Sequence, residues 1–264
     1  MSDQRAKGEA FRALHAGEPF VIPNPWDAGS ARVMQALGCK ALATTSSGFA
    51  FTLGRRDGEV TPDEAMAHTA SVTAATDVPV SVDLENGDGP EPEQAALAIT
   101  QVAAAGAVGG SIEDFDRDGG RLYEVSHAAD RIAAAAEAAR ALDVPFMLTG
   151  RAENHIRDNP DLDDTIARLQ AYEAAGADVL YAPGLATVDE IRAVCSAVSR
   201  PVNVLGFPGF TIGDIFEAGA QRVSVGGGLT WVGVAAMADA VATLLETGDL
   251  SPLDVEVPLD RWFA

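Results

Sequence analysis

Short β-branched runs alternate with alanine-rich segments along most of the chain, and this alternation constrains the fold more than any other feature. Eight such runs are predicted as strands, at residues 19–24, 39–46, 78–85, 108–114, 144–153, 177–183, 200–206 and 221–227. The segments between them, such as EQAALAITQVAAAGA, place apolar residues at helical spacing. Several of these segments end in Ala-Gly-Ala or Leu-Gly, where the glycine can end a helix. Each unit is therefore predicted to be a strand followed by a helix.

Eight such units within about 210 residues predict a parallel (β/α)8 barrel. A doubly wound open sheet would usually be smaller or would leave a second domain. No linker or low-complexity stretch marks a boundary, so residues 1–264 are predicted to form one barrel domain, with a last helix and tail at about 230–264. Hydrophobic residues make up 47% of the chain, which is enough for a large core.

The chain is strongly acidic, with 39 Asp and Glu against 18 Lys and Arg and a net charge of −21. This charge repels nucleic acids and anionic membranes, so neither is predicted as a partner. The first residues lack the apolar region of a signal peptide, and no uninterrupted apolar run approaches the roughly 18 residues of a membrane span. Cys39 and Cys195 are predicted to be reduced thiols. We therefore expect a soluble, cytoplasmic protein.

Polar residues follow nearly every predicted strand, where a barrel of this class places its active site. They are Asn24, Asp27, Thr45 to Gly48, Asp83, Glu85, Glu113, Asp114, Arg151, Glu153, Asn154, Asn203 and Ser224. Their distribution over the barrel predicts a site at the carboxyl ends of the strands.

The third run ends in an acidic loop, VDLENGDG, which contains Asp83, Glu85 and Asp88 and no Lys or Arg. Glu113 ends the next run, so its carboxylate is expected to converge with those of Asp83 and Glu85. Like charges brought together raise one another's pKa unless a cation balances them. Mg²⁺ prefers oxygen ligands and commonly takes one or two carboxylates together with substrate oxygens. The alternative is a solvated acidic turn before the next helix.

Further short motifs occur in order between residues 20 and 230. The segment PNPWDA occupies residues 23–28, and Ser47-Gly48 is followed by LGRRD at residues 53–57. The loop DLENGDG occupies residues 83–89. The pair Glu113-Asp114 ends the fourth run, and Arg151 lies near the end of the fifth.

This ordered set resembles the phosphoenolpyruvate mutase/isocitrate lyase superfamily. The metal loop of that superfamily reads Asp-x-Asp-x-Gly-x-Gly, which residues 83–89 match with Glu85 in place of one Asp. The resemblance implies a Mg²⁺-dependent enzyme, with Mn²⁺ as a possible substitute, that binds a 2-oxo acid and makes or cleaves a bond through an enolate. It also implies a homo-oligomer, a dimer or tetramer, in which the last helix is exchanged between subunits.

The resemblance assigns roles to particular residues. It implies that Asp83, Glu85 and Glu113 bind the metal and that Asp57 reaches it through water. Ser47, Gly48, Arg151 and Asn203 are the candidate substrate-binding residues, and Arg151 also stabilises the enolate oxygen. A buried ion pair between Arg151 and Glu153 or Glu113 is the structural alternative.

The loop after Glu113-Asp114 departs from both main branches of the superfamily. It lacks the Lys-Lys-Cys-Gly-His of the lyase branch, and Phe115 stands where the mutase and hydrolase branch has a lysine. Isocitrate or methylisocitrate cleavage and P–C bond chemistry are therefore disfavoured. Within this loop Arg121, Tyr123 and His127 are the candidates for donating a proton or contacting a distal carboxylate. The leading hypothesis is a lyase that cleaves a C–C bond in a small 2-oxo acid such as oxaloacetate, and the alternative is a non-catalytic 2-oxo acid binding protein or sensor.

Overall fold

A parallel eight-stranded sheet forms the centre of the computed structural model, which describes residues 2–263. In chain order the strands are β1 Phe20–Val21, β2 Leu42–Ala43, β3 Val80–Asp83, β4 Gly109–Glu113, β5 Phe115–Asp116, β6 Arg121–Leu122, β7 Met147–Arg151, β8 Val179–Tyr181, β9 Val202–Leu205 and β10 Arg222–Ser224. The large sheet runs β1-β10-β9-β8-β7-β4-β3-β2, and β5 and β6 form a separate antiparallel pair.

The two end strands of this order lie beside each other and close the sheet into a barrel. The backbone N–H of Ala43 in β2 donates to the carbonyl of Pro23, just after β1, over 3.1 Å. The Asn24 side-chain amide donates to the Thr44 carbonyl over 3.2 Å at the same seam. The predicted (β/α)8 fold is confirmed. That residues 1–264 form one domain stays a prediction.

Helices occupy the segments between the strands. They are α1 Ser2–His15, α2 Ala28–Ala36, α3 Ser46–Thr52, α4 Pro62–Ala75, α5 Pro92–Ala104, α6 Val125–Arg140, α7 Leu162–Ala175, α8 Val188–Ala197, α9 Ile212–Glu217, α10 Gly228–Thr247 and α11 Leu259–Trp262, with short 3₁₀ helices at Asn154–Ile156 and Ser251–Leu253.

Three of the helices begin with the same local pattern, Thr-x-x-Glu or Thr-x-x-Asp. Thr61, Thr187 and Thr211 each accept a hydrogen bond from a backbone N–H of the first turn, and the acid three positions later binds back to the cap. Such capping boxes satisfy helix N–H groups that would otherwise lack partners. The helix starts at α4, α8 and α9 are therefore determined by local sequence.

The amino-terminal end of the barrel is closed by α1. Phe11 is fully buried among Phe20, Ile22 and Val108, and burying one such side chain contributes roughly 1.5–3 kcal/mol. His15, one turn later, packs edge-on against Phe20 at 5.2 Å between ring centroids. The opposite end of the barrel is left free for polar residues.

Helix α10, which is 20 residues long, buries little of its surface. Within residues 2–263 it is the one helix that could span a membrane by length and composition alone. Of its most apolar 18-residue stretch, 6% is buried. Its first turn packs on the barrel, where Trp231 contacts Phe51 at 5.6 Å between ring centroids. It is thus the helix that follows the last barrel strand, with an apolar surface left uncovered.

Candidate active site

Three neighbouring strands deliver charged side chains to one place at the carboxyl end of the barrel. Asp83 ends β3, Glu113 ends β4 and Arg151 ends β7. In the parallel register Asp83 pairs with Ser111, and Glu113 pairs directly with Arg151. The convergence expected from the sequence is therefore produced by strand pairing.

The acids of this site are contacted by arginines. Arg151 lies 3.5 Å from the Asp83 carboxylate, 3.6 Å from that of Glu113 and 2.5 Å from that of Glu153. Arg157 lies 3.9 Å from the Glu113 carboxylate and 2.8 Å from that of Glu153. The ion pairs proposed as the structural alternative for Arg151 are present, and Arg151 lines the site as well.

Burial and mutual repulsion raise the pKa of two of these acids. Burial, followed by the charge of Asp83, raises the pKa of Glu85 to about 7. Burial raises the pKa of Glu113 well above its usual range, with the nearby acids adding to the effect and Arg151 opposing it. Glu113 is 2% exposed, and its Oε1 accepts no hydrogen bond from the described residues. The cluster therefore has less positive charge than its acids require.

The donor chemistry of this cluster fits a hard divalent cation. Three carboxylates, one with a buried oxygen that accepts no hydrogen bond from the described residues, are the oxygen ligands that Mg²⁺ takes. No group of three or more His, Cys, Asp or Glu in the described part of the chain has the spacing of a formed metal site. Arg151 and Arg117 contact Asp83 and Glu85. These arginines would have to move aside as the acids close on an ion.

The loop after β3 has an unusual backbone that places Glu85. Glu85 has φ of 49°, in the left-handed region, and strain of this kind clusters at functional sites. Gly87 has φ of 71°, and a Cβ there would lie 2.9 Å from the Ile112 side chain. The chain turns sharply at this glycine, and the position admits no larger residue without rearrangement.

A buried arginine of α6 holds this loop against β4. Arg131, 1% exposed, donates to the carbonyl groups of Glu113, Gly89 and Asn86, the first two over 3.0 Å. Its guanidinium also lies 4.6 Å from the centre of the Tyr123 ring. Arg131 therefore fixes the loop and the end of β4 relative to each other.

Two small cavities, each of about 60 Å³, meet at Asp83. The outer cavity is bounded by Ser46, Phe49, His68 and Glu85, among others. The inner cavity extends into the barrel and is lined by polar residues that include Asn24, Arg151, Asn203, Arg222 and Ser224. Together they offer a charged recess of the size of a small ligand group.

The candidate substrate-binding residues are already engaged in contacts within the protein. The Ser47 hydroxyl lies 3.1 Å from that of Thr45, and the Gly48 N–H donates to the Thr45 hydroxyl over 3.3 Å. Asn203 lines the inner cavity, donates to Ser224 over 3.0 Å and accepts from Arg222 over 2.8 Å. Only Asn203 and Arg151 of this set line a cavity.

The three candidate residues of the loop after Asp114 lie outside the linings of the two cavities. The Asn86 amide donates to the buried Tyr123 hydroxyl over 3.3 Å, and the His127 ring lies 2.9 Å from the Pro90 carbonyl. The Arg121 side chain is 79% exposed and lies 3.8 Å from Asp116. None of the three lines either cavity. Their roles in chemistry stay predictions.

Asp57 is connected to the site through Arg117, a residue that sequence reasoning missed. Arg117, in the turn between β5 and β6, lies 3.8 Å from the Asp57 carboxylate and 3.3 Å from that of Glu85. The pair β5–β6 was itself not predicted as strands. Arg157 also escaped notice, although its position four residues after Glu153 is typical of an ion pair.

Comparison with known proteins identifies the family. The sequence profile of the phosphoenolpyruvate phosphomutase family matches residues 11–245. The chain belongs to this family. As a family member it is an enzyme of the lyase and mutase type, acting on C–C or C–P bonds, and the resemblance to the phosphoenolpyruvate mutase/isocitrate lyase superfamily is confirmed.

Individual proteins similar to this chain align over most of their length. A crystal structure of a candidate lyase/mutase from Burkholderia cenocepacia J2315 is 47% identical, covers 100% of this chain and 98% of that one, and superposes with a TM-score of 0.96. An oxaloacetate decarboxylase of Rhodopseudomonas palustris (strain BisB5) is 30% identical over 84% of this chain and 78% of its own. Phosphonopyruvate hydrolase, in a complex with oxalate and Mg²⁺, shares the fold at 23% identity and a TM-score of 0.85, over 96% of this chain and 91% of that one.

Proposed function

We propose that this protein is a Mg²⁺-dependent lyase that cleaves a C–C bond of a small 2-oxo dicarboxylate, with oxaloacetate as the first substrate to test. The observation that carries the proposal is the convergence of Asp83, Glu85, Glu113 and Arg151 at the barrel mouth. Oxaloacetate decarboxylases among the relatives support the substrate class. The hydrolase of the same fold that binds oxalate and Mg²⁺ supports the cofactor.

The proposed roles follow from the contacts. Asp83, Glu85 and Glu113 would hold the cation, with Asp57 acting through water. When bound, Mg²⁺ supplies electrostatic stabilisation of negative charge that develops on the keto oxygen. Arg151, paired with Glu153, would present its guanidinium to the same charge once it has released Asp83. Ser46 orients Asp83 by donating its hydroxyl over 3.0 Å.

A non-catalytic 2-oxo acid binding protein is the second candidate, and one observation favours it. Arg121, Tyr123 and His127, the loop residues considered as proton donors, line neither cavity. Decarboxylation demands little from such a donor, because protonation of the enolate product can come from water. Relatives named as oxaloacetate decarboxylases favour the enzyme over the binding protein.

Turnover of oxaloacetate tests the proposal. The purified protein with Mg²⁺ should convert oxaloacetate to equal amounts of pyruvate and CO2, and chelation of the metal should stop the reaction. A panel of other 2-oxo acids should define the range. The matched variants are Asp83→Asn, which removes a proposed ligand, and Asp88→Asn, which alters the same loop at a position with φ of 64° that asparagine tolerates.

We expect Asp83→Asn to lose Mg²⁺ and Mn²⁺ binding and turnover while keeping its fold, and Asp88→Asn to retain both. Glu113→Gln should resemble Asp83→Asn, whereas Glu85→Gln should weaken metal binding less. Tight calorimetric binding of oxaloacetate without product would support the binding protein instead. Absence of both binding and turnover over the whole panel, with either metal, would overturn the proposal.

A cytoplasmic location is also proposed.

A further inference from the structure

Arg222, on the last barrel strand, is a buried arginine with neutral hydrogen-bond partners. It is 4% exposed. Its Nε donates to the Asn203 side-chain oxygen over 2.8 Å, its Nη2 donates to the Thr149 hydroxyl over 3.0 Å, and its Nη1 lies 3.1 Å from the His15 ring. Within residues 2–263 no carboxylate forms an ion pair with it.

Such a charge is costly to bury. Two other largely buried arginines of this barrel have acidic partners, and Arg131 donates to three backbone carbonyl groups instead. Arg168 lies 3.0 Å from the Asp114 carboxylate and 2.9 Å from that of Asp164, and Arg151 contacts three acids. A guanidinium that is buried in a low-dielectric interior without an acidic partner loses its hydration and gains no Coulombic attraction in exchange. Burial accordingly lowers the pKa of Arg222 to about 10. A missing negative partner is thus the feature to explain.

The position of Arg222 indicates where that partner belongs. Arg222 lines the inner cavity together with Arg151, Asn203 and Ser224, and this cavity joins the proposed metal carboxylates at Asp83. The guanidinium has five N–H groups, of which the three named contacts use three. The two others form no hydrogen bond within residues 2–263.

We propose that Arg222 is an anion-binding residue of the site, and that it balances a carboxylate of the ligand that enters the inner cavity. This inference rests on the proposed function in taking the ligand to be a 2-oxo acid, and it adds the residue that would recognise one of its charged ends. The volume of the inner cavity, about 60 Å³, is enough for a carboxylate or a few water molecules. Attraction between charges is stronger where a charged group is buried, as Arg222 is.

A structural role is the competing explanation, because Arg222 also joins β10 to α1 through His15. The two explanations differ in what the charge does. A purely structural role requires the hydrogen bonds of Arg222 but not its positive charge. An anion-binding role requires the charge. Arg222→Gln keeps hydrogen-bonding capacity without charge, and Arg222→Lys keeps charge with fewer donors.

Oxalate is the probe, measured by calorimetry in the presence of Mg²⁺ for wild type, Arg222→Gln and Arg222→Lys, with thermal midpoints for all three. We expect Arg222→Gln to bind oxalate about 30-fold more weakly or worse, as when one partner of a buried charge pair is lost. Arg222→Lys should recover most of the affinity. In turnover, Arg222→Gln should raise KM for oxaloacetate more than it lowers kcat.

A second measurement uses the wild-type protein and does not depend on the stability of the glutamine variant. The ¹⁵N-labelled Nε–H resonance that disappears in Arg222→Lys should shift when oxalate binds. Equal oxalate affinity in folded Arg222→Gln and wild type, or an Nε–H resonance that oxalate leaves unmoved, would overturn the inference. If the wild-type protein binds neither oxalate nor oxaloacetate, the proposed function itself fails.

Discussion

The guanidinium of Arg117 lies 3.3 Å from the carboxylate of Glu85, so the turn between β5 and β6 reaches directly into the cluster of strand-end acids. The same guanidinium contacts Asp57 on the loop after α3. Gly58, beside it, has φ of 84°, and a Cβ there would overlap the Arg117 side chain. This turn therefore joins two loops of the proposed active site through one arginine.

Arg117 and a metal ion would compete for Glu85. We expect Arg117→Gln to tighten Mn²⁺ binding by about two- to fivefold, the scale of a partly exposed ion pair. Titration of Mn²⁺ followed by electron paramagnetic resonance measures this directly. Arg121→Gln is the matched control, because it removes an arginine from the same hairpin whose side chain is 79% exposed.

Equal Mn²⁺ affinity in the two variants would show that Arg117 does not oppose the ion. Weaker binding in Arg117→Gln alone would show instead that the arginine organises the loop for the metal.

Arg131 should be a major determinant of stability. Arg131→Met removes donors from three backbone carbonyl groups, those of Asn86, Gly89 and Glu113. Buried acceptors left without partners cost about 1–3 kcal/mol each, so a total loss of roughly 3 kcal/mol or more is expected. Urea unfolding measures it, with Arg140→Met, at an exposed position on the same helix, expected to change stability by less than about 0.5 kcal/mol. Similar losses in both variants would contradict this role.

His15 should make stability depend on pH. Burial, with the Arg222 charge acting in the same direction, lowers the pKa of His15 to about 3, whereas an unfolded histidine has a pKa of about 6.5. Between these values the unfolded state binds a proton that the folded state does not, so stability falls as pH falls. From pH 7.5 to 5.0 this residue alone should cost about 2 kcal/mol.

Denaturant unfolding of wild type and His15→Gln at both pH values isolates that contribution. Glutamine can still accept from Arg222 and does not titrate, so the variant should show a smaller loss by about 2 kcal/mol. Parallel pH profiles for the two proteins would mean that His15 is protonated in the folded state.

The barrel could be predicted from sequence because its signals are local. The apolar runs, the alanine-rich helices and the Thr-x-x-Glu caps each depend on fewer than about 15 residues. The positions of Asp83 and Glu113 could be predicted because each residue lies near the end of a predicted strand. The strands themselves are shorter than the predicted runs, because only the central residues of each run pair in the sheet.

The arginines of the site could not be predicted in the same way. Arg222 meets His15 across 207 positions of the chain, and Arg131 meets Asn86 across 45. On sequence alone Arg222 is the second residue of the predicted strand 221–227, and no role was predicted for it. Arg222 is buried because α1 closes the barrel beneath it. No local sequence pattern indicates this tertiary contact.

Helix α10 leads to the last prediction, on assembly. Val232, Met237, Val241 and Leu245 expose 67%, 56%, 47% and 82% of their surface on this helix. Exposed apolar surface on this scale usually marks an interface. The exchange of the last helix between subunits, implied by the superfamily resemblance, would cover it. We therefore expect light scattering to show a dimer or tetramer of the 27.3 kDa chain.

Leu245→Glu should weaken that assembly, because it places a charge where a partner would bury leucine. Leu97→Glu is the matched control, since Leu97 is 56% exposed on α5, away from this surface. Wild type and Leu97→Glu should keep the same mass at concentrations where Leu245→Glu falls to a smaller species. A wild-type protein that runs only at 27.3 kDa would show the prediction to be wrong, because α10 would then remain uncovered in solution.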